Sequence, residues 1–115
     1  MSHDGNTQHR RFRIVLEGAV QGFGLRPTVY RVAQRLHLTG WVRNFGAGLE
    51  IEVEGGSDQL REFLLEIELK SSSAIGSIKQ TILPITSVNS KWFEILPDMV
   101  KLQQRHLKSH RNFPD

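Results

Sequence analysis

The segment Gly18-Ala-Val-Gln-Gly-Phe-Gly-Leu-Arg-Pro27 places three glycines and an arginine just ahead of an apolar-periodic stretch. Glycines let successive backbone N–H groups turn inward, and such a nest binds anions. A helix starting directly after the loop adds its positive N-terminal end at the same point. Pro27 sits where a first helical residue belongs, because its missing N–H costs nothing there. Arg26, at the junction, offers a planar fork of donors that matches phosphate oxygens. The expected phosphate cradle is therefore Val20, Gln21, Gly22, Phe23, Gly24, Leu25 and Arg26. The spacing is neither that of a Walker loop nor that of a dinucleotide fingerprint.

A second segment, Gly40-Trp-Val-Arg-Asn44, ends an apolar run on an asparagine. Asparagine is a poor strand residue and most often marks a turn. Its neutral carboxamide can also accept a hydrogen bond from a water while donating another to a phosphate. Asn44 could thus aim a water without titrating. Taken singly, each segment is also compatible with an ordinary turn.

These groups need a scaffold, and the hydrophobic pattern describes one. Phe12, Ile14 and Leu16 alternate with Arg13, Val15 and Glu17, which predicts a strand. Val29, Val32, Ala33 and Leu36 form one stripe of an amphipathic helix, with Gly40 punctuating its exit. Trp41–Asn44 begins a second strand, and Asn44-Phe-Gly-Ala-Gly48 turns it into a hairpin. Leu49, Ile51 and Val53 alternate with Glu50, Glu52 and Glu54, predicting a strand with one wet face. Ser57 is the expected cap of a second helix with its stripe at Leu60, Phe63, Leu64 and Ile67. A Ser71–Ser73 linker, a strand over Ser77–Leu83, a loop over Pro84–Lys91 and a short strand at Trp92–Leu96 follow, the last with Phe93 and Ile95 on one face. The order β-α-β-β-α-β, with a short extra strand split from its end, predicts an α+β ferredoxin-like sandwich. In it an antiparallel sheet carries two helices on one face. The expected division is a disordered leader at 1–11, one domain at 12–96 and a linker or tail at 97–115.

Composition narrows the function classes. A chain of 115 residues supports one modest core. Residues 12–96 hold nine Lys/Arg and nine Asp/Glu, so the formal charge of +3 comes from the two ends. A protein that tracks nucleic-acid phosphates carries its positive stripe on the folded body. Arg43-Asn-Phe-Gly-Ala-Gly48 echoes an RNA-recognition signature, which leaves an RNA-binding module as the alternative from a different class. The glutamates at 50, 52 and 54 would repel RNA where stacking aromatics are required. There is no cysteine for a disulfide or thiolate metal site, no apolar run of the ~20 residues a membrane span needs, and no secretory pattern at the start. His106 and His110 have helical ligand spacing, but in a Gln/Lys/Arg setting they read as solvated side chains. The expectation is a cytoplasmic monomer with no metal, cofactor, nucleic-acid or membrane partner.

Together the two motifs resemble the acylphosphatase family, whose pattern is G-x-V-Q-G-V-x-F-R followed by G-W-V-R-N. The likeness runs over about Phe12–Leu96. It implies that the loop backbone and Arg26 bind phosphate and that Asn44 orients the attacking water. It further implies hydrolysis of a carboxyl–phosphate or carbamoyl–phosphate anhydride without metal or covalent intermediate. Phe23 and Leu25 stand where the family usually has Val and Phe, and Ala47 where an acidic residue is common. The continuation Arg26-Pro-Thr-Val-Tyr-Arg-Val-Ala33 is similar to the N-terminal domain of nickel–iron hydrogenase maturation carbamoyltransferases. That narrower resemblance implies carbamoyl phosphate as substrate and further domains of the same polypeptide as partners. A free-standing acylphosphatase is the alternative.

Overall fold

Alternating apolar residues on three neighbouring strands need a common surface to bury them, and two striped helices supply it. In the computed structural model, which describes residues 8–17, 25–46, 48–75 and 79–97, the elements are β1 (His9–Glu17), α1 (Leu25–Arg35), β2 (Thr39–Phe45), β3 (Gly48–Gly56), α2 (Ser57–Ile75), β4 (Lys79–Ile85) and β5 (Phe93–Ile95). The strands form one sheet in the order β4-β1-β3-β2-β5. All neighbours are antiparallel except β5, which runs parallel to β2. Ile14 and Leu16 of β1, Val42 of β2 and Leu49, Ile51 and Val53 of β3 meet Val29, Val32 and Ala33 of α1 and Leu60, Phe63 and Ile67 of α2 in one buried core. The expected α+β sandwich is therefore the observed one, with the extra strand closing the β2 edge.

Several boundaries differ from expectation for physical reasons. The sheet begins at His9, so the end of the expected leader is structured, and Arg11 is buried by its ion pairs. Residues 1–7 and 98–115 lie outside the described residues. α1 is closed off by His37, two residues past its end, whose φ of 58° is left-handed, with Leu38 N donating to Ala33 O at 2.8 Å and His37 N to Gln34 O at 3.1 Å. These two bonds satisfy the last carbonyls of the helix. Gly40, expected at that exit, lies instead inside β2 with φ 133°, where a Cβ would sit 2.0 Å from Glu52 O. The expected Ser71–Ser73 linker continues α2, and Ser71 is accommodated by donating its hydroxyl to Ile67 O at 2.6 Å. Pro84 and Ile85 extend β4, an edge strand, where a residue without an N–H is tolerated. In β5 only Phe93 is buried, against Tyr30 of α1, while Ile95 is exposed.

The face of the sheet away from the helices departs most. Glu50 and Glu54 are buried, not wet. Arg11 bridges Glu52 (2.7 Å) and Glu54 (2.8 Å), and Arg13 and Arg43 converge on Glu50. Because β4 and β5 occupy opposite edges, the chain between them must cross the sheet. Glu54 anchors that crossing, accepting hydrogen bonds from Ser87 Oγ, from Val88 N (3.1 Å) and from Asn89 N (2.9 Å), with His9 Nε2 at 2.5 Å. Burial pushes the Glu54 carboxyl up, but Ser87, His9, Arg11 and the Val88 amide outweigh it and hold it well below the usual carboxylate range.

Candidate active site

β1 and β2 both run toward the end of the sheet where residues 18–24 leave β1 for α1. At the opposite end, the chain leaving α1 packs Leu38 against Gly55 near the end of β3. From there α1 reaches back across β2, so its first turn lies at the end where β2 finishes. Arg26 is the second residue of that turn and is half-buried. The first turn holds no acidic residue. A cation at the positive end of a helix works against the dipole, and an anion bound there resolves the conflict.

Asn44 is the penultimate residue of β2, buried and on the helix face. It pairs across β3 with Leu49, whose other neighbour is Leu16 of β1. Its carboxamide thus sits two strands from the end of β1, at the start of the β2–β3 hairpin. Gly48 lets β1 lie against the start of β3, since a Cβ there would sit 1.9 Å from Leu16 O. On the opposite face Arg43 stacks over Trp41, 4.6 Å from its ring, and donates Nε to Glu50 Oε1 at 3.1 Å.

Of the expected phosphate cradle, Leu25 and Arg26 are described. The Leu25 side chain belongs to the core, so only its main chain is left for a ligand. Val20, Gln21, Gly22, Phe23 and Gly24 lie outside the described residues, as do Ala47, His106 and His110. The fold brings the helix start carrying Arg26 and the strand end carrying Asn44 to one end of the molecule. Sequence reasoning missed Glu50 and the two arginines on it. The available signal was arginine at 11 and 13 facing glutamate at 50, 52 and 54 on the next strand.

A family model described as Acylphosphatase matches residues 12–95. The chain belongs to the acylphosphatase family. It is thus a hydrolase domain, and the resemblance first seen in its two motifs extends over the whole folded body. It is 38% identical over 95 residues to the acylphosphatase of Synechococcus sp. (strain WH7803), covering 81% of this chain and 93% of that protein. It is 53% identical over 57 residues to Carbamoyltransferase HypF2 of Cupriavidus necator, covering 50% of this chain and 7% of that protein. Among solved structures, full-length HypF in its phosphate- and nucleotide-bound form superposes with a TM-score of 0.73 at 32% identity, covering 81% of this chain and 13% of that one. The chain therefore spans less than a tenth of the carbamoyltransferase from C. necator and nearly all of the cyanobacterial acylphosphatase.

Among the described residues no helix is long and apolar enough to cross a membrane, and no three His, Asp or Glu side chains group as a metal site.

Proposed function

We propose that this acylphosphatase domain hydrolyses carbamoyl phosphate in the cytoplasm, as the N-terminal domain of a hydrogenase maturation carbamoyltransferase. The observation that carries the chemistry is the convergence of the α1 start, with Arg26, and the β2 end, with Asn44, at one end of the sheet. The backbone of residues 20–25, the helix dipole and the Arg26 guanidinium neutralise the phosphoryl group. Asn44 accepts a hydrogen bond from a water and holds it for attack. The water oxygen adds and the carbamoyl–phosphate anhydride bond breaks; one water proton is kept by the phosphate and the other passes to solvent, and carbamate and inorganic phosphate leave. Identity to the carbamoyltransferase HypF2 and the Arg26–Ala33 continuation support the carbamoyl group. The match to nearly the full length of a free acylphosphatase favours a second reading, a free-standing enzyme of broader acyl specificity.

Steady-state kinetics with acetyl, carbamoyl and benzoyl phosphates, beside calorimetric titration of inorganic phosphate, test both readings. Arg26→Ala is expected to weaken phosphate and substrate binding together. Asn44→Ala is expected to leave phosphate affinity largely intact and to lower turnover by about 100-fold or more. Normal turnover in Asn44→Ala would remove the water-holding role. Loss of activity in EDTA restored by zinc would overturn the metal-free mechanism. A clear preference for carbamoyl phosphate separates the first reading from the second.

A further inference from the structure

Glu50 is the residue of β3 directly opposite Arg43, and it is buried on the face of the sheet away from the helices. One carboxylate oxygen, Oε1, accepts from Arg43 Nε at 3.1 Å and lies 3.0 Å from its Nη2. The other, Oε2, is paired with Arg13 Nη2 of β1. A single carboxylate thus ties together the strand that runs into the glycine loop and the strand that carries Asn44, across the strand between them. Arg43 immediately precedes Asn44, and side chains alternate faces along a strand. Glu50 is therefore on the far side of the sheet from Asn44 and touches no reacting group.

We propose that Glu50 is a positioning residue, which fixes the separation between the phosphate-holding end of β1 and the water-holding end of β2. This rests on the reading of Asn44 as the water-holding group. The physical argument is the steep dependence of rate on placement, where a displacement of about 1 Å costs on the order of 100-fold. Removing the charge leaves Arg13 and Arg43 facing each other across β3 without a counter-ion. The two strands then lose the clamp closest to Asn44, although the helix-face core remains. Phosphate binding, which belongs mainly to α1 and the loop before it, depends far less on the distance to β2.

Glu50→Gln is compared with Glu52→Gln, which removes a carboxylate of the same strand and face that is paired with Arg11 instead. Melting temperature, inorganic-phosphate affinity by calorimetry, and kcat and KM on acyl phosphates are measured for both. In Glu50→Gln, kcat is expected to fall about tenfold or more with phosphate affinity within about twofold. In Glu52→Gln the melting temperature falls while kcat at a temperature well below it is kept. Arg13→Met cuts only the β1 arm of the clamp and gives the same kcat effect in a milder form, should Glu50→Gln not fold. Wild-type kcat in both Glu50→Gln and Arg13→Met, or an equal kcat loss in Glu52→Gln, overturns the proposal while leaving the role of Asn44 standing. A wild-type chain with no acyl-phosphate turnover overturns both.

Discussion

Both faces of the sheet bury side chains, by opposite means. The helix face is filled by Ile14, Leu16, Val42, Ile51 and Phe63, whose packing has no preferred partner and tolerates any pH. The other face is filled by a lattice of arginines and glutamates, each stabilised by named partners at fixed geometry. Non-directional burial closes the fold, whereas directional pairing sets where each strand end lies. The residues nearest the proposed water-holding group belong to the directional face on one side and to the core on the other.

The largest effect expected from breaking either face is on the apolar one. Phe63→Ala removes a fully buried ring and should cost about 3–5 kcal/mol in urea unfolding. Arg11→Ala should cost about 3 kcal/mol at neutral pH, near the low end for a broken buried pair, because Glu54 keeps Ser87 and two loop amides as donors. Repeating both titrations in acid sharpens the contrast. Glu54 is held well below its ordinary value of 4.5, so its contribution is complete above that pH and is gone only once the pH has fallen through the depressed value of the folded state. The Arg11→Ala penalty should therefore hold from pH 7 through the ordinary carboxylate range and shrink only in stronger acid, while the Phe63→Ala penalty stays level. An Arg11→Ala penalty that already falls between pH 7 and pH 5 would remove the charge argument. The smallest effect belongs to neither face. Leu69→Ala, at a side chain 68% exposed on α2, should stay within about 0.5 kcal/mol.

The helix face was legible because a 3.6-residue stripe and a two-residue alternation each have one simple explanation. Val29, Val32 and Ala33 and the Leu49–Val53 alternation went where their spacing sent them. The other face was not legible in the same way. Alternating glutamates look identical whether water or arginine faces them, and only the register of β1 on β3 decides between the two. The early start of β1 escaped notice for the same reason, since Arg10 and Arg11 carry no apolar signal. His37 replaced Gly40 at the helix exit because a left-handed residue need not be glycine. At the site, Arg26 and Asn44 stood out through their motifs. Glu50 has no motif of its own, because its significance lies in which two strands it joins.

The chain between Ile85 and Phe93 ties outer strands that share no hydrogen bond of their own. The carbonyl of its last residue, Trp92, accepts from Gly40 N at 3.0 Å, and its middle hangs on Glu54. The two edges of the sheet are thus mechanically one unit, belted across the face that has no helices. Removing the Glu54 carboxylate would leave the Ser87 hydroxyl and the Val88 and Asn89 amides without their shared acceptor. The belt's last hold is on Gly40 at the start of β2, so loosening it would act at the end of that strand away from Asn44.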